Sequence, residues 1–220
     1  MQLSGNSIKT YYDKFRSALK QAYKDGYLSE NIAEKTNAVK QAETHRNYLT
    51  LEELNKLVKT KCKSPEIKTQ ALFSALTGLR RSDIQKLIWG EVQHVEGSGY
   101  LIRFMQKKTG GSETLPITEQ AFNLLGERKQ PTDNVFTLIQ ETNQRENRYL
   151  TKWVLDAGIS KKITFHCFRH TFATLQLSMG TDIYTVSKML GHKDLNTTQI
   201  YAKIIDETKR TASNRIKLDL

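Results

Sequence analysis

Only two cysteines occur, Cys62 and Cys167, far apart and in no CxxC pattern. That spacing argues against a disulfide framework and a four-thiolate zinc site, and both residues are expected to be plain thiols in a reducing compartment. No apolar run approaches the roughly 20 residues that cross a bilayer. Met1 to Asn6 lacks the basic-then-apolar pattern of a signal peptide, so the chain is expected to be cytoplasmic. No basic amphipathic helix stands apart as a membrane-surface element, so no membrane partner is expected. Internal repeats and low-complexity tracts are lacking, as is any group of carboxylates of the kind that holds Mg²⁺ in many nucleases.

What remains is a cationic globular chain. Its 220 residues are 38% hydrophobic, enough to bury a core in one medium domain or in one domain plus a small fragment. Thirty-four Lys and Arg against 23 Asp and Glu leave a formal charge of +11. A cationic excess of this size attracts the phosphate backbone, which makes nucleic acid the first partner to consider.

Periodicity divides the chain. Ile8, Tyr11 or Tyr12, Phe15, Leu19 and Ala22 fall at helical spacing before a stop at Gly26, and a second, weaker helix is expected from Ile32 to Val39. Lys40 to Asn47 is polar and aperiodic, as a linker is. Thr50 and Glu53 form a capping box opening a helix through Leu54, Leu57 and Val58. Ile67 to Leu76 reads as a buried helix stopped by Gly78, and Ser82 is expected to cap another through Ile84, Leu87 and Ile88. Tyr100 to Met105 and Glu113 to Ile117 read as a hairpin with Lys107 and Lys108 at its turn, and Val92 to Val95 supplies a third strand. From Glu119 onward the pattern is helical, with short interruptions at Pro131, Gly158, Gly180 and Gly191.

The densest chemistry lies in His166-Cys167-Phe168-Arg169-His170, at the start of a helix. Residues three and four apart share a face there, so His166, Arg169 and His170 present neighbouring polar groups. Two histidines four apart also fit zinc, but the Glu of that motif is missing and Arg169 would repel a bound cation. His170 taken alone reads as a hydrogen-bonded core residue. Leu190-Gly191-His192 ends one helix, and a further helix containing Ile200, Tyr201 and Ile204 is expected after it. Among isoleucines, Tyr201 alone reads as a core aromatic.

Together Thr77-Gly78-Leu79-Arg80-Arg81-Ser82-Asp83, Lys108-Thr109-Gly110, His166 to His170, Leu190-Gly191-His192 and Tyr201 resemble the signature of tyrosine recombinases, the phage-integrase family, in order and spacing. The resemblance spans most of residues 50 to 205 and is strongest to integrases of bacterial mobile elements. It implies a mainly α fold with a small antiparallel β-sheet, namely the family's catalytic domain preceded by a helical fragment. It also implies a site-specific DNA recombinase working without metal, ATP or other cofactor. Tyr201 would attack phosphorus to form a 3′-phosphotyrosyl link. Arg80 and Arg169 would clamp the scissile phosphate, since a guanidinium is always charged and donates paired hydrogen bonds. A phenol near pKa ~10 needs help to ionise, and His166 is expected to assist that proton transfer. Lys108 would protonate the leaving 5′ oxygen, with Lys107 its competitor. His192 would hydrogen-bond a non-bridging oxygen, and Asp83 and His170 would support their neighbours.

The resemblance further implies residues 1–43 as the last part of a helical DNA-clamp domain, 44–205 as the catalytic domain, and 206–220 as a tail for subunit contacts or a free terminus. Double-stranded DNA is the implied partner, with a homo-tetramer on DNA and a monomer as an option when free. Because the family's clamp is usually larger, the chain is expected to be an excised fragment. Two alternatives stay open: a type IB topoisomerase-like relaxation of DNA, and a DNA-binding module without activity.

Overall fold

The computed structural model describes residues 5–40, 46–97, 99–105, 112–137 and 143–201. The chain divides into two compact units between His45 and Arg46. In the first, α1 (Gly5–Lys24) buries none of its residues. It is tied to a short 3₁₀ turn, Ile32–Lys35, by Arg16 Nε donating to Ala33 O at 2.8 Å. The expected second helix ends after that turn because Thr36 is extended (φ −106°, ψ 136°). Its hydroxyl donates to Ala33 O and so satisfies a carbonyl that a continuing helix would have bonded.

The second unit opens on α2 (Leu51–Lys59), where the Thr50–Glu53 capping box forms as expected. α3 (Pro65–Thr77) is the central helix, capped by Ser64 and nearly buried along its length. Gly78 ends it with φ +71°, a left-handed conformation that costs glycine nothing. α4 (Arg81–Ile84) is a single turn, and Arg80, not Ser82, occupies its N-cap. A cap must have non-helical backbone, and Arg80 at ψ 149° is the last residue to have it as the chain leaves the Gly78 turn. Leu87 therefore enters the core from a loop, and Ile88 is extended and bridges Asn134.

Three antiparallel strands follow, β1 (Val92–Val95), β2 (Gly99–Met105) and β3 (Ser112–Ile117), in the order β1-β2-β3. Val92 faces Ile102, which faces Leu115, so one side of the sheet sends apolar side chains to the core. The turn with Lys107 and Lys108 lies outside the described residues. After the short α5 (Glu119–Asn123), residues 124–137 form turns rather than the expected continuing helix. Their backbone pairs back to the segment before β1 through Trp89 N to Asp133 O, Gly90 N to Pro131 O and Val135 N to Leu87 O, so helical bonds are replaced by long-range ones.

α6 (Asn143–Asp156) is pinned to the end of α2 by Trp153 Nε1, which donates to Leu57 O and Thr60 O. α7 (Phe165–Ser178) packs along α3, and Leu49 N donates to Thr171 Oγ1, drawing the entry segment onto it. α8 (Ile183–Met189) ends at Leu190-Gly191. Among the described residues the expected helix around Tyr201 is two 3₁₀ turns, Leu195–Thr197 and Gln199–Tyr201, with Tyr201 N bonded three residues back to Thr198 O. Ile204 and residues 206–220 lie outside the described residues. Cys62 and Cys167 are buried free thiols. No helix among the described residues is long and apolar enough to cross a membrane.

Candidate active site

The turn after α3 places the first arginine. Ser74 Oγ donates to Leu79 O at 2.8 Å and holds the chain beyond Gly78, so that Arg80 starts α4 at the mouth of a cleft of roughly 370 Å³. Its Nη1 lies 3.7 Å from Asp83 Oδ2 one turn on, an ion pair with a carboxylate that is 4% exposed. His166 and Arg169 border the same cleft from the first turn of α7.

Arg169 is almost wholly buried and holds three segments at once. Nη1 donates to Gly78 O and Nη2 to Leu190 O, both at 2.6 Å, and Nη2 also meets His192 Nε2 at 3.0 Å. These bonds use three of the five N–H donors of a guanidinium. Because arginine only donates, His192 Nε2 accepts here, and His192 Nδ1–H donates to Thr198 Oγ1 at 2.8 Å. Arg169 thereby sets the ring's tautomer, and Thr198, which no motif marks, holds its Nδ1 side.

Tyr201 sits in a small apolar cluster with Phe172, Ala173, Leu177, Val186 and Leu190. The packing expected of an isolated core aromatic is therefore present. Its hydroxyl, however, meets His170 Nδ1 at 2.5 Å. His166, expected beside the phenol, instead stands edge-on to the His170 ring, 4.5 Å between centroids, and is exposed. Its neighbour on the helix face makes the contact.

The electrostatics follow from burial among cations. Burial, opposed by Arg169 and Arg46, pushes the Tyr201 phenol up to about 12. His170 is pushed down to about 3, first by burial and then by the charges of His166, Arg46, Arg169 and His192. His192 falls to about 4 through burial and the nearby Arg169 and Arg80. Arg169 falls to about 9, with burial first and Arg80 second. Buried His170 and half-buried His192 are both neutral at neutral pH, and the two arginines repel one another, a strain that an anion lodged between them would relieve. The site is thus a cationic cradle next to a protonated phenol.

Among the described residues no three His, Cys, Asp or Glu side chains converge as metal ligands. Arg80, Asp83, His166, Arg169, His170, His192 and Tyr201 are brought into one region, although they span 122 residues of chain, whereas Lys108 lies outside the described residues. Besides Thr198, the ion pair between Arg81 and Glu146 at the cleft has no sequence signal, because its members are on separate helices.

Comparison with known proteins speaks to the family and the fold. Residues 47–208 match the model of the Phage integrase family, and residues 1–42 match the Phage integrase SAM-like domain. Tyrosine recombinase XerD of Listeria innocua is 30% identical over 216 residues, covering 91% of this chain and 72% of that protein. The crystal structure of XerA recombinase superposes with a TM-score of 0.61 at 22% identity, covering 99% of this chain and 85% of the other. A lambda integrase dimer bound to a COC′ core site gives 0.68 at 21% identity, over 88% of this chain and 74% of the other. At such identities the two structures speak to the fold.

Proposed function

The chain belongs to the phage integrase family, and on that premise we propose that it is a site-specific DNA recombinase cutting and rejoining DNA through Tyr201. The observation that carries the reading is the meeting of Arg80, His166 and Arg169 at one cleft, with Tyr201 bonded to His170 on the same helix that supplies two of them. The relatives are named tyrosine recombinases, which favours strand exchange over relaxation and over an inert binding module.

In this reading a phosphodiester enters the cleft and takes hydrogen bonds from Arg80 and Arg169. Tyr201 is 5% exposed, so its hydroxyl must leave His170 to reach phosphorus. There His166, exposed at the cleft, accepts the phenol proton. The Tyr201 oxygen forms a bond to phosphorus, the bond to the 5′ oxygen breaks, and that oxygen takes a proton supplied by Lys108. The covalent link keeps the energy of the broken ester, so an incoming 5′ hydroxyl reverses the step. His192 turns from Arg169 to a non-bridging oxygen, to which Nε2 donates once the ring proton has moved there from Nδ1, with the Thr198 hydroxyl then donating to Nδ1, and Asp83 steadies Arg80. Residues 1–43 are assigned to the DNA clamp and residues 206–220 to subunit contacts, with four subunits acting on two sites to integrate or excise a mobile element. The lambda integrase dimer on its core site supports assembly on DNA.

The test is a set of nicked duplexes, tiled across the ends of the DNA element that encodes the chain, which trap the cut state. A covalent protein–DNA adduct that disappears in Tyr201→Phe, with joined products from two separate duplexes, is expected. Cleavage by the Tyr201→Phe variant would overturn the assignment.

A further inference from the structure

Arg81 follows Arg80 in sequence, yet its guanidinium has a different partner. It pairs with Glu146 Oε2 on α6, and its Cζ lies 6.0 Å from the ring centroid of Phe165, the first residue of α7. Glu146 is 2% exposed, and both members of the pair border the cleft with Arg80, His166 and Arg169. One ion pair therefore links the turn that carries Arg80 to α6, beside the helix start that carries His166 and Arg169. Arg80's own pair with Asp83 lies within α4 and its cap, so it orients the side chain without fixing the turn to anything else.

We propose that the Arg81–Glu146 ion pair is a positioning device for Arg80, locking its turn against α6 and α7 so that Arg80 and Arg169 converge on one phosphate. The proposal rests on the reading of the cleft as the scissile-phosphate site. With Glu146 buried and the Arg81 side chain 28% exposed, the ion pair adds little net stability, but it is directional, and loss of one partner leaves an uncompensated charge. Here the stranded charge would be Arg81, a second cation beside Arg80 able to draw the phosphate out of register. A misplacement of about 1 Å at a reacting centre costs on the order of a hundredfold in rate. Burial raises the Glu146 carboxyl above the usual carboxylate range and Arg81 opposes the rise, so the charged form of Glu146 depends on its partner.

The experiment is a double-mutant cycle on adduct formation with a nicked duplex cut by the wild-type chain. Glu146→Gln is expected to lower the rate at saturating DNA roughly tenfold or more, with DNA affinity changed less than about threefold. In an Arg80→Lys background the same substitution should cost almost nothing further, because its effect passes through Arg80. Should Glu146→Gln fold poorly, the Arg81→Met/Glu146→Leu double variant replaces the pair by an apolar one that keeps the packing, and it must still lose rate. An unchanged rate in a folded variant, or a loss that adds fully to that of Arg80→Lys, would overturn the proposal. Absence of any adduct from the wild-type chain would count against the cleft reading itself, whatever Glu146 does.

Discussion

The Tyr201 hydroxyl and His170 Nδ1 lie 2.5 Å apart, thirty-one positions apart in sequence and buried together. With the phenol pushed up to about 12 and His170 pushed down to about 3, both are neutral, and the phenol holds its proton firmly. On the proposed reading, Tyr201 has to give up this bond before it can attack a phosphate.

Breaking that bond separates a holding role from a chemical one. His170→Phe leaves the Tyr201 hydroxyl unpaired in an apolar cluster and should lower unfolding stability by about 1–3 kcal/mol in a denaturant titration. His166→Ala should leave stability nearly unchanged and lower the cleavage rate by about a hundredfold, the scale of a lost proton-transfer group. If His170→Phe were the more damaging for cleavage at equal folded fraction, His170 would be the base.

Gly78 has no tolerated replacement. An added Cβ would lie 2.6 Å from Phe172 Cδ1 and 2.9 Å from Leu190 Cδ2, at φ +71°. Left-handed strain and overpacking together should destabilise Gly78→Ala by roughly 2–4 kcal/mol. Because Gly78 O also accepts from Arg169, cleavage should fall further than the folded fraction explains, a comparison that thermal melts and adduct yields make directly.

Acid should unfold the protein early. His170 and His192 have folded values of about 3 and 4, below the ordinary value near 6.5, so between about pH 6.5 and 4 the unfolded chain binds more protons than the folded one. Stability from these two sites is full above about pH 6.5 and is lost as pH falls through that window. Melting temperatures measured from pH 7 to pH 4 should decline, and the decline should flatten in His170→Phe. An equal slope in that variant would show that other groups carry the effect.

Thr198 should matter through the ring it orients. Thr198→Val removes the hydroxyl that bonds His192 Nδ1, freeing the ring to turn and loosening the Arg169 contact. Cleavage should fall about tenfold with little change in DNA affinity. Unchanged cleavage would remove His192's orientation from the mechanism.

Signals confined to a few neighbouring residues survived the passage from sequence to structure. The Thr50–Glu53 box, the stop at Gly78 and the three strands depend on contacts within a turn or a hairpin, and each forms as expected. Boundaries set by distant partners did not: Arg80 displaces Ser82 as the cap, and residues 124–137 trade helical bonds for pairing with the segment before β1. In the site, residue types and order were legible, and so was the convergence of the described ones, Lys108 lying outside them. Which histidine faces Tyr201 depends on the angle at which the 3₁₀ turns approach α7, and Arg81–Glu146 joins helices 65 positions apart; no local pattern encodes either.

Arg169 braces Gly78, Leu190 and His192 from inside the core while bordering the cleft. Its replacement would strand two buried carbonyls, so a variant made there to silence the enzyme would also weaken the scaffold, and poor yield would be mistaken for lost chemistry. The same coupling means that mutational tolerance measured by abundance alone would mark Arg169 as a core residue. A protein for binding studies is better silenced at Tyr201, where one oxygen is removed, one hydrogen bond to His170 is lost and the ring is left in place.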